Sequence, residues 1–168
     1  MSMTFDDIPE GAAVLLDSNI FVYAFAEKSP ECSTLIQRCK GGKIFGVVSV
    51  FTLAEVCHKT MGIEAAALVG RSAVPAKYLK DHPETTTKLT RYASFMEDVI
   101  LRCNLGIVES SDTDLLRSQA IRNRYGMLTT DSINVQVLLE YGIPAIATND
   151  MDFERIEGIR VFMPGDIE

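Results

Sequence analysis

Apolar runs too short for helices, each passing directly into a stretch of helical spacing, constrain the fold of this chain more than any other feature. "VLL" at 14–16 leads into a helix that continues to about Ala26, and "KIFGVVS" leads into "VFTLAEVCHKTM", where Leu53, Val56 and Thr60 recur at helical intervals and Ser49 is placed to cap. "LGIVES" leads into "SDTDLLRSQAIRNRYG", closed by Gly126. "MLTTDSINVQVLLEYGIPAIAT" repeats the scheme with a short apolar piece, an acid, a helix, Gly142 and a strand "AIAT", and "IRVFM" is a last strand at an edge. Strands alternating with helices of ten or more residues call for right-handed crossovers. The expected fold class is therefore α/β, a three-layer α/β/α arrangement around a central, mainly parallel sheet.

The remaining segments fit one domain spanning 1–168, with no linker or repeat. "PECSTLIQRCKGG" is a helix entered after Pro30 and stopped by Gly41 and Gly42. The middle, about 62–104, is helical in composition. Pro75 and Pro83 break it, and "PETTTKLTRYASFMEDVILRC" reads as one long helix with Leu89, Tyr92, Phe95, Met96, Val99 and Ile100 on a stripe. At 47% hydrophobic residues over 168, there is enough apolar material for a sizeable core.

No stretch approaches the roughly 18 apolar residues of a membrane span, and "MSMTFDDIPEG" lacks the basic start of an export signal. A cytoplasmic protein is expected. Cys32, Cys39, Cys57 and Cys103 form no CxxC pair and have no histidines at zinc-site spacing, which leaves them as reduced thiols. The net charge of −7 argues against nucleic-acid binding through the overall field. That objection weakens if several acids hold metal ions, since two divalent cations would contribute +4.

Acids stand where such a sheet has its functional crevice, at the carboxyl ends of the strands. Asp17 follows "VLL", Asp150 and Asp152 follow "AIAT", and Asp131 stands at a helix start. Glu55 lies inside the apolar helical stretch "FTLAEVC". Each has an ordinary alternative: Asp131 could cap its helix, and "TNDMDF" has the composition of a turn. Asp17 and Glu55 are harder to dismiss, because a charge among apolar neighbours needs partners. Two carboxylates about 4 Å apart repel by roughly 4 kcal/mol at an effective dielectric near 20, so converging acids require a counter-charge. An all-oxygen donor set points to Mg²⁺ or Mn²⁺ rather than zinc.

These segments resemble the PIN-domain nucleases, which include the VapC-type toxins of toxin–antitoxin pairs. "LLDSNIFVYAF" is similar to that family's opening strand and D-[ST]-N-[IV]-[FL] signature, "SVFTLAEV" to its S-x-x-[TS]-x-x-E segment, and "LTTDSINVQVLLEYGIPAIATNDMDFERI" to its closing region. The resemblance implies an acidic pocket binding Mg²⁺ or Mn²⁺, with Asp17, Glu55, Asp131 and Asp150 as metal ligands and Asp152 beside or in place of Asp150. Ser18, Asn19, Thr130 and Asn149 would support them from behind. It further implies a metal-dependent endoribonuclease in which the ions activate water and stabilise the leaving oxygen, so that no protein nucleophile is needed. An RNA substrate and a protein antitoxin are the implied partners. Two departures stand out: "INVQ" where many members carry a small residue, and a helical middle longer than in the shortest toxins.

Other groups read differently. Asp112 and Asp114 precede an amphipathic helix and are expected to cap it, and Arg117, Arg122, Arg124 and Tyr125 are expected to form a solvated face rather than a nucleic-acid contact. Glu55 and His58 make a single Glu-x-x-His pair, without the second copy a di-iron bundle requires. Two rival functions remain: an interaction or RNA-binding module with an inactive pocket, and an aspartate-nucleophile phosphatase, against which stands Asn19 in place of the second acid of D-x-D. The apolar stretches "NIFVYAFA" and "YASFMEDVIL" suggest a homodimer.

Overall fold

The computed structural model describes residues 3–167. Six strands form one sheet: β1 (Met3–Thr4), β2 (Ala13–Leu16), β3 (Phe45–Ser49), β4 (Gly106–Val108), β5 (Ala145–Ala147) and β6 (Arg160–Met163). Their order is β1-β6-β5-β2-β3-β4, and every described pairing is parallel. Eight helices connect them: α1 (Ser18–Phe25), α2 (Pro30–Lys40), α3 (Val50–Leu68), α4 (Ala76–Asp81), α5 (Pro83–Thr86), α6 (Arg91–Arg102), α7 (Asp112–Tyr125) and α8 (Thr129–Glu140). The expected α/β class and parallel sheet are observed.

Period-two alternation along the strands separates two cores. Val14 and Leu16 of β2, Val48 of β3, and Ala145 and Ala147 of β5 point into a cluster that takes Ile20 and Phe21 from α1, Val56 from α3 and Val99 from α6. Leu15, Val47 and Ile146 point the other way, against Val135 and Leu138 of α8 and Ile121 of α7. Because both faces are covered, the central strands are almost wholly apolar. At Gly46 a Cβ would lie 2.8 Å from Cys39 Sγ and from Leu105 Cδ2, so β3 approaches α2 more closely than any larger residue would permit.

The chain runs β2, β3, β4 to one edge, then crosses back to place β5 on the other side of β2. The switch point between β2 and β5 is therefore where the connections diverge and a crevice opens. Asp17 extends this pairing, its amide donating to the Ala147 carbonyl at 3.0 Å.

Three expectations need correction. "IRVFM" is not an edge strand: β6 pairs with β5 on one side and with the two-residue β1 on the other, and β1 itself was not anticipated. "MLTT" does not repeat the strand pattern, since Leu128 is already the N-cap position of α8. The long helix expected from Pro83 is two, α5 and α6, parted at 87–90. Its cause is Glu64 of α3. One Glu64 oxygen accepts from the amides of Thr90 (2.8 Å) and Arg91 (3.0 Å), and the other from Tyr92 (2.8 Å), so a carboxylate from another helix satisfies the first free N–H groups of α6. The hydrophobic stripe survives the break, with Leu89, Met96 and Val99 buried.

All four cysteines are free, and Cys32, Cys39 and Cys103 are buried. Burial pushes the Cys32 and Cys39 thiols up to about 11, which keeps them protonated and inert. No helix among the described residues is long and apolar enough to cross a membrane.

Glu64 also has a pH signature. Burial alone would raise its carboxyl, but the three amide donors and Arg91 outweigh burial and lower it below the ordinary value. A carboxyl lowered on folding contributes stability above its unfolded pKa and loses it as pH falls through the folded one. Glu64→Ala is expected to cost about 1 kcal/mol at pH 7. In urea titrations the gap from the wild type should narrow as pH falls below about 4.

Candidate active site

Asp17 is the N-cap residue of α1 and is 4% exposed. A carboxylate so deep must find donors, and it has four. Oδ1 accepts from the Ser18 amide (2.7 Å) and, more loosely, from Asn134 Nδ2 (3.4 Å). Oδ2 accepts from Asn19 Nδ2 (2.7 Å) and Thr148 Oγ1 (2.7 Å). Thr148, just past β5, gives Asp17 its single proton and accepts from Asn19 Nδ2 and the Asp150 amide, both at 3.0 Å. Asn149 closes this corner by donating its amide to Asn19 Oδ1 (3.2 Å) and Nδ2 to the Tyr23 hydroxyl (3.4 Å).

A second line of donors arrives from the other side. Ser49 caps α3 by accepting the Thr52 amide, Thr52 Oγ1 donates to Asn134 Oδ1 (2.9 Å), and Asn134 Nδ2 then faces Asp17. Since the Thr52 proton is spent on Asn134, the 2.9 Å contact between Ser49 Oγ and Thr52 Oγ1 is donated by Ser49. Asn134 belongs to "INVQ", so that departure puts a fully buried amide between α3 and Asp17.

Glu55 is part-buried on α3 and is held by Lys59 one turn on, Nζ to Oε1 at 2.6 Å. Lys59 also donates to Ser18 Oγ at 3.3 Å. Asp131 lies in the first turn of α8 but is not its N-cap, so the capping alternative fails. Its carboxyl is pushed up to about 6, first by burial and then by the charges of Asp17, Asp150 and Glu55, with Lys59 opposing. Asp17 is likewise raised, by burial first and by Glu55, against the Thr148 and Ser18 hydrogen bonds and Lys59. The charges of Asp17, Glu55 and Asp150, from the start of α1, α3 and the segment after β5, thus all act on Asp131.

Asp150 caps the short 3-10 turn Met151–Arg155, accepting the Asp152 amide at 2.8 Å. Asp152 pairs with Arg155 at 2.6 Å, whereas Asp150 is among the charges that raise the Asp131 carboxyl. Of the two closing acids, the structure brings Asp150 to the cluster. Ser18, Asn19 and Asn149 join its hydrogen bonds, whereas the side chain of Thr130 makes none among the described residues. Asn134, Thr148 and Lys59 were not singled out from the sequence. Thr148 could have been noticed as a polar residue closing an apolar strand, and Lys59 by its i+4 spacing from Glu55.

The donor chemistry of this pocket suits a hard cation: the acid ligands offer oxygen alone, and Asp131 is surrounded by negative charge and has no hydrogen-bond donor among the described residues. Oδ1 of Asp17, with one short and one long bond, retains spare acceptor capacity. Among the described residues, no three acid, histidine or cysteine side chains stand close enough together to hold a metal ion.

Elsewhere the simpler alternatives hold. Ser111 and Asp114 form a capping box on α7, the Ser111 amide donating to Asp114 at 2.7 Å. Arg117 and Arg124 pair with Glu140 and Glu157, and Arg122 donates to Ser118 and Ser132.

A parallel α/β sheet with a carboxylate cluster at its switch point defines the architectural class. The model of the PIN domain matches residues 14–159, and the chain belongs to that family. No curated protein matches its sequence. Among solved structures it is similar in fold to VapBC2 from Rickettsia felis, determined bound to a promoter DNA fragment, at 15% identity and TM-score 0.57 over 90% of this chain and 98% of that one. It is also similar to Mycobacterium tuberculosis VapC20, described as a toxin cleaving the sarcin–ricin loop, at 12% identity and TM-score 0.58 over 89% and 98%. A toxin–antitoxin complex from Klebsiella pneumoniae aligns at 21% identity and TM-score 0.50 over 92% and 98%.

The raised Asp131 carboxyl carries a prediction for metal-free protein. A carboxyl raised on folding binds more protons folded than unfolded between about pH 4 and 6, so stability falls as pH rises through that window. Asp131→Asn should therefore stabilise the chain in EDTA by roughly 1 kcal/mol at pH 7.5, a figure reduced for solvent screening. Chemical denaturation should show the gain disappearing below about pH 4.

Proposed function

We propose that this PIN-domain protein is a Mg²⁺- or Mn²⁺-dependent endoribonuclease. The observation that carries the reading is the buried Asp17 carboxylate at the switch point, held by Ser18, Asn19, Asn134 and Thr148, with Glu55, Asp131 and Asp150 standing on the neighbouring elements. These four acids would hold the metal. When bound, a divalent cation acidifies water and neutralises the charge of a phosphodiester. Asn19, Thr148 and Asn134 hold the Asp17 carboxylate in one orientation, so little reorganisation is needed there. With a cation bound, Glu55 would be one of its ligands and the charge of Lys59, now paired with Glu55 at 2.6 Å, would be available to a phosphate.

An inactive interaction module is the alternative favoured by one observation, the close Glu55–Lys59 pair that holds Glu55 apart from the other acids. The phosphatase alternative is disfavoured by Asn19, which spends its donor on Asp17.

In this reading the protein works in the cytoplasm, where its free thiols stay reduced, and is the toxin of a toxin–antitoxin pair. The VapBC2 and Klebsiella pneumoniae structures, toxin–antitoxin assemblies of the same fold, support a protein antitoxin as its partner. It also pairs with a second copy of itself. The stretch "NIFVYAFA" gives that no support, since Ile20, Phe21 and Phe25 are buried within the chain. The exposed Ile100, Leu101, Ile107 and Leu116, running from α6 past the edge strand β4 to α7, do.

Cleavage of end-labelled single-stranded RNA tests the reading. Product is expected with Mn²⁺, none in EDTA, and a loss of at least about 100-fold in Asp17→Asn. Absence of both cleavage and calorimetric Mn²⁺ binding in folded wild-type protein would leave the inactive module.

A further inference from the structure

Next to the carboxylate cluster lies a cavity of about 580 Å³, between α1, α3 and the segment leading into α4. That is ample for one unstacked nucleotide, as ligand pockets run from about 300 to 1,000 Å³. Its inner wall is aliphatic, with Val22 and Ile63, while Lys28, Lys59 and Arg71 stand around it. In a chain with 23 acids against 16 lysines and arginines, no Asp or Glu lines it.

Two side chains belong to both spaces. Lys59 lines the cavity while its Nζ lies on Glu55, and Tyr23 lines it while its hydroxyl accepts from Asn149. Beyond the rim, the Arg71 guanidinium lies 5.1 Å from the centre of the Tyr78 ring, which stacks on His82 at 4.1 Å. Cations around a largely apolar slot suit a single-stranded nucleic acid, whose bases bury apolar surface and whose backbone offers regular negative charge.

We propose that this cavity receives the base of a nucleotide flanking the cleaved bond of single-stranded RNA, with the neighbouring phosphates on Lys28, Lys59 and Arg71. It rests on the nuclease reading above and adds where the strand lies. Tyr23, His58 and Ser72 also line the slot and give the base polar partners beside its aliphatic wall. Lys59 sits at the junction, where the phosphate beside the bound base meets the carboxylates.

The test measures binding apart from cleavage. Fluorescence anisotropy with a labelled single-stranded RNA ten-mer, in EDTA, compares the wild type with Lys28→Ala/Arg71→Ala and with Ala67→Trp, which fills the cavity from an exposed position on α3. The double variant should bind about tenfold or more weakly, and its slope of log affinity against log salt should be shallower by about 1.4, at about 0.7 for each lost phosphate contact. Ala67→Trp should weaken binding with its salt slope unchanged. Should it fail to fold, the double variant, whose changes are at the exposed rim, decides alone. Equal RNA affinity in wild type and variants, with wild-type cleavage in Mn²⁺ intact, would overturn the subsite and leave the nuclease standing. Unchanged RNA affinity together with loss of a co-expressed protein partner would overturn it too, assigning the cavity to that protein. A wild type that neither binds nor cleaves RNA would remove both readings.

Discussion

The burial of one carboxylate organises this molecule. Asp17 sits at the carboxyl end of the central strand with almost no contact with solvent, and an ionised group there is tolerable only if the protein replaces its water. The replacement comes from three parts of the chain: the first turn of α1, the middle of α8 and the residue after β5. Meeting that one demand fixes α8 against the sheet and sets the exit of β5. The same packing brings Asp131 within reach of the charges of Asp17 and Asp150. The proposed pocket and the fold's internal polar network thus share these contacts.

Charge is sorted along this boundary. The acids stand at the switch point, where burial first and neighbouring charge second raise the Asp131 carboxyl, while Lys28, Lys59 and Arg71 line the adjoining apolar cavity. Lys59 belongs to both populations, one turn from Glu55 on α3. A net charge of −7 conceals this division, because a sum over the chain says nothing of where the positive groups stand. A chain acidic overall can still present a local cationic path to a polyanion.

Much of the architecture was legible in the residues because it rests on short-range periodicity. "VLLDSN", "FGVVSVFTLAEV" and "SDTDLLRSQAIRNRYG" became strand-to-acid, strand-to-helix and capped-helix units, since alternation, capping and glycine stops act within a few residues. "PETTTKLTRYASFMEDVILRC" misled for the same reason: its stripe is real, but the break before Arg91 is imposed by Glu64, 26 residues or more away. Asn134 and Thr148 escaped notice because their partner, Asp17, is 117 and 131 positions distant. Nothing in the local sequence of either signals that partnership.

The sequence by itself determined most of the elements, their order, and that acids follow the strand ends, because these properties follow from near neighbours along the chain. Only the tertiary structure decided which acids share a pocket. When β5 crosses to the far side of β2, Asp150 is brought to the cluster and Asp152 is left to Arg155. The Asp152–Arg155 pair is local, but the meeting of Asp17 with Asp131 depends on distances through space between residues more than a hundred positions apart, of which spacing along the chain carries no record.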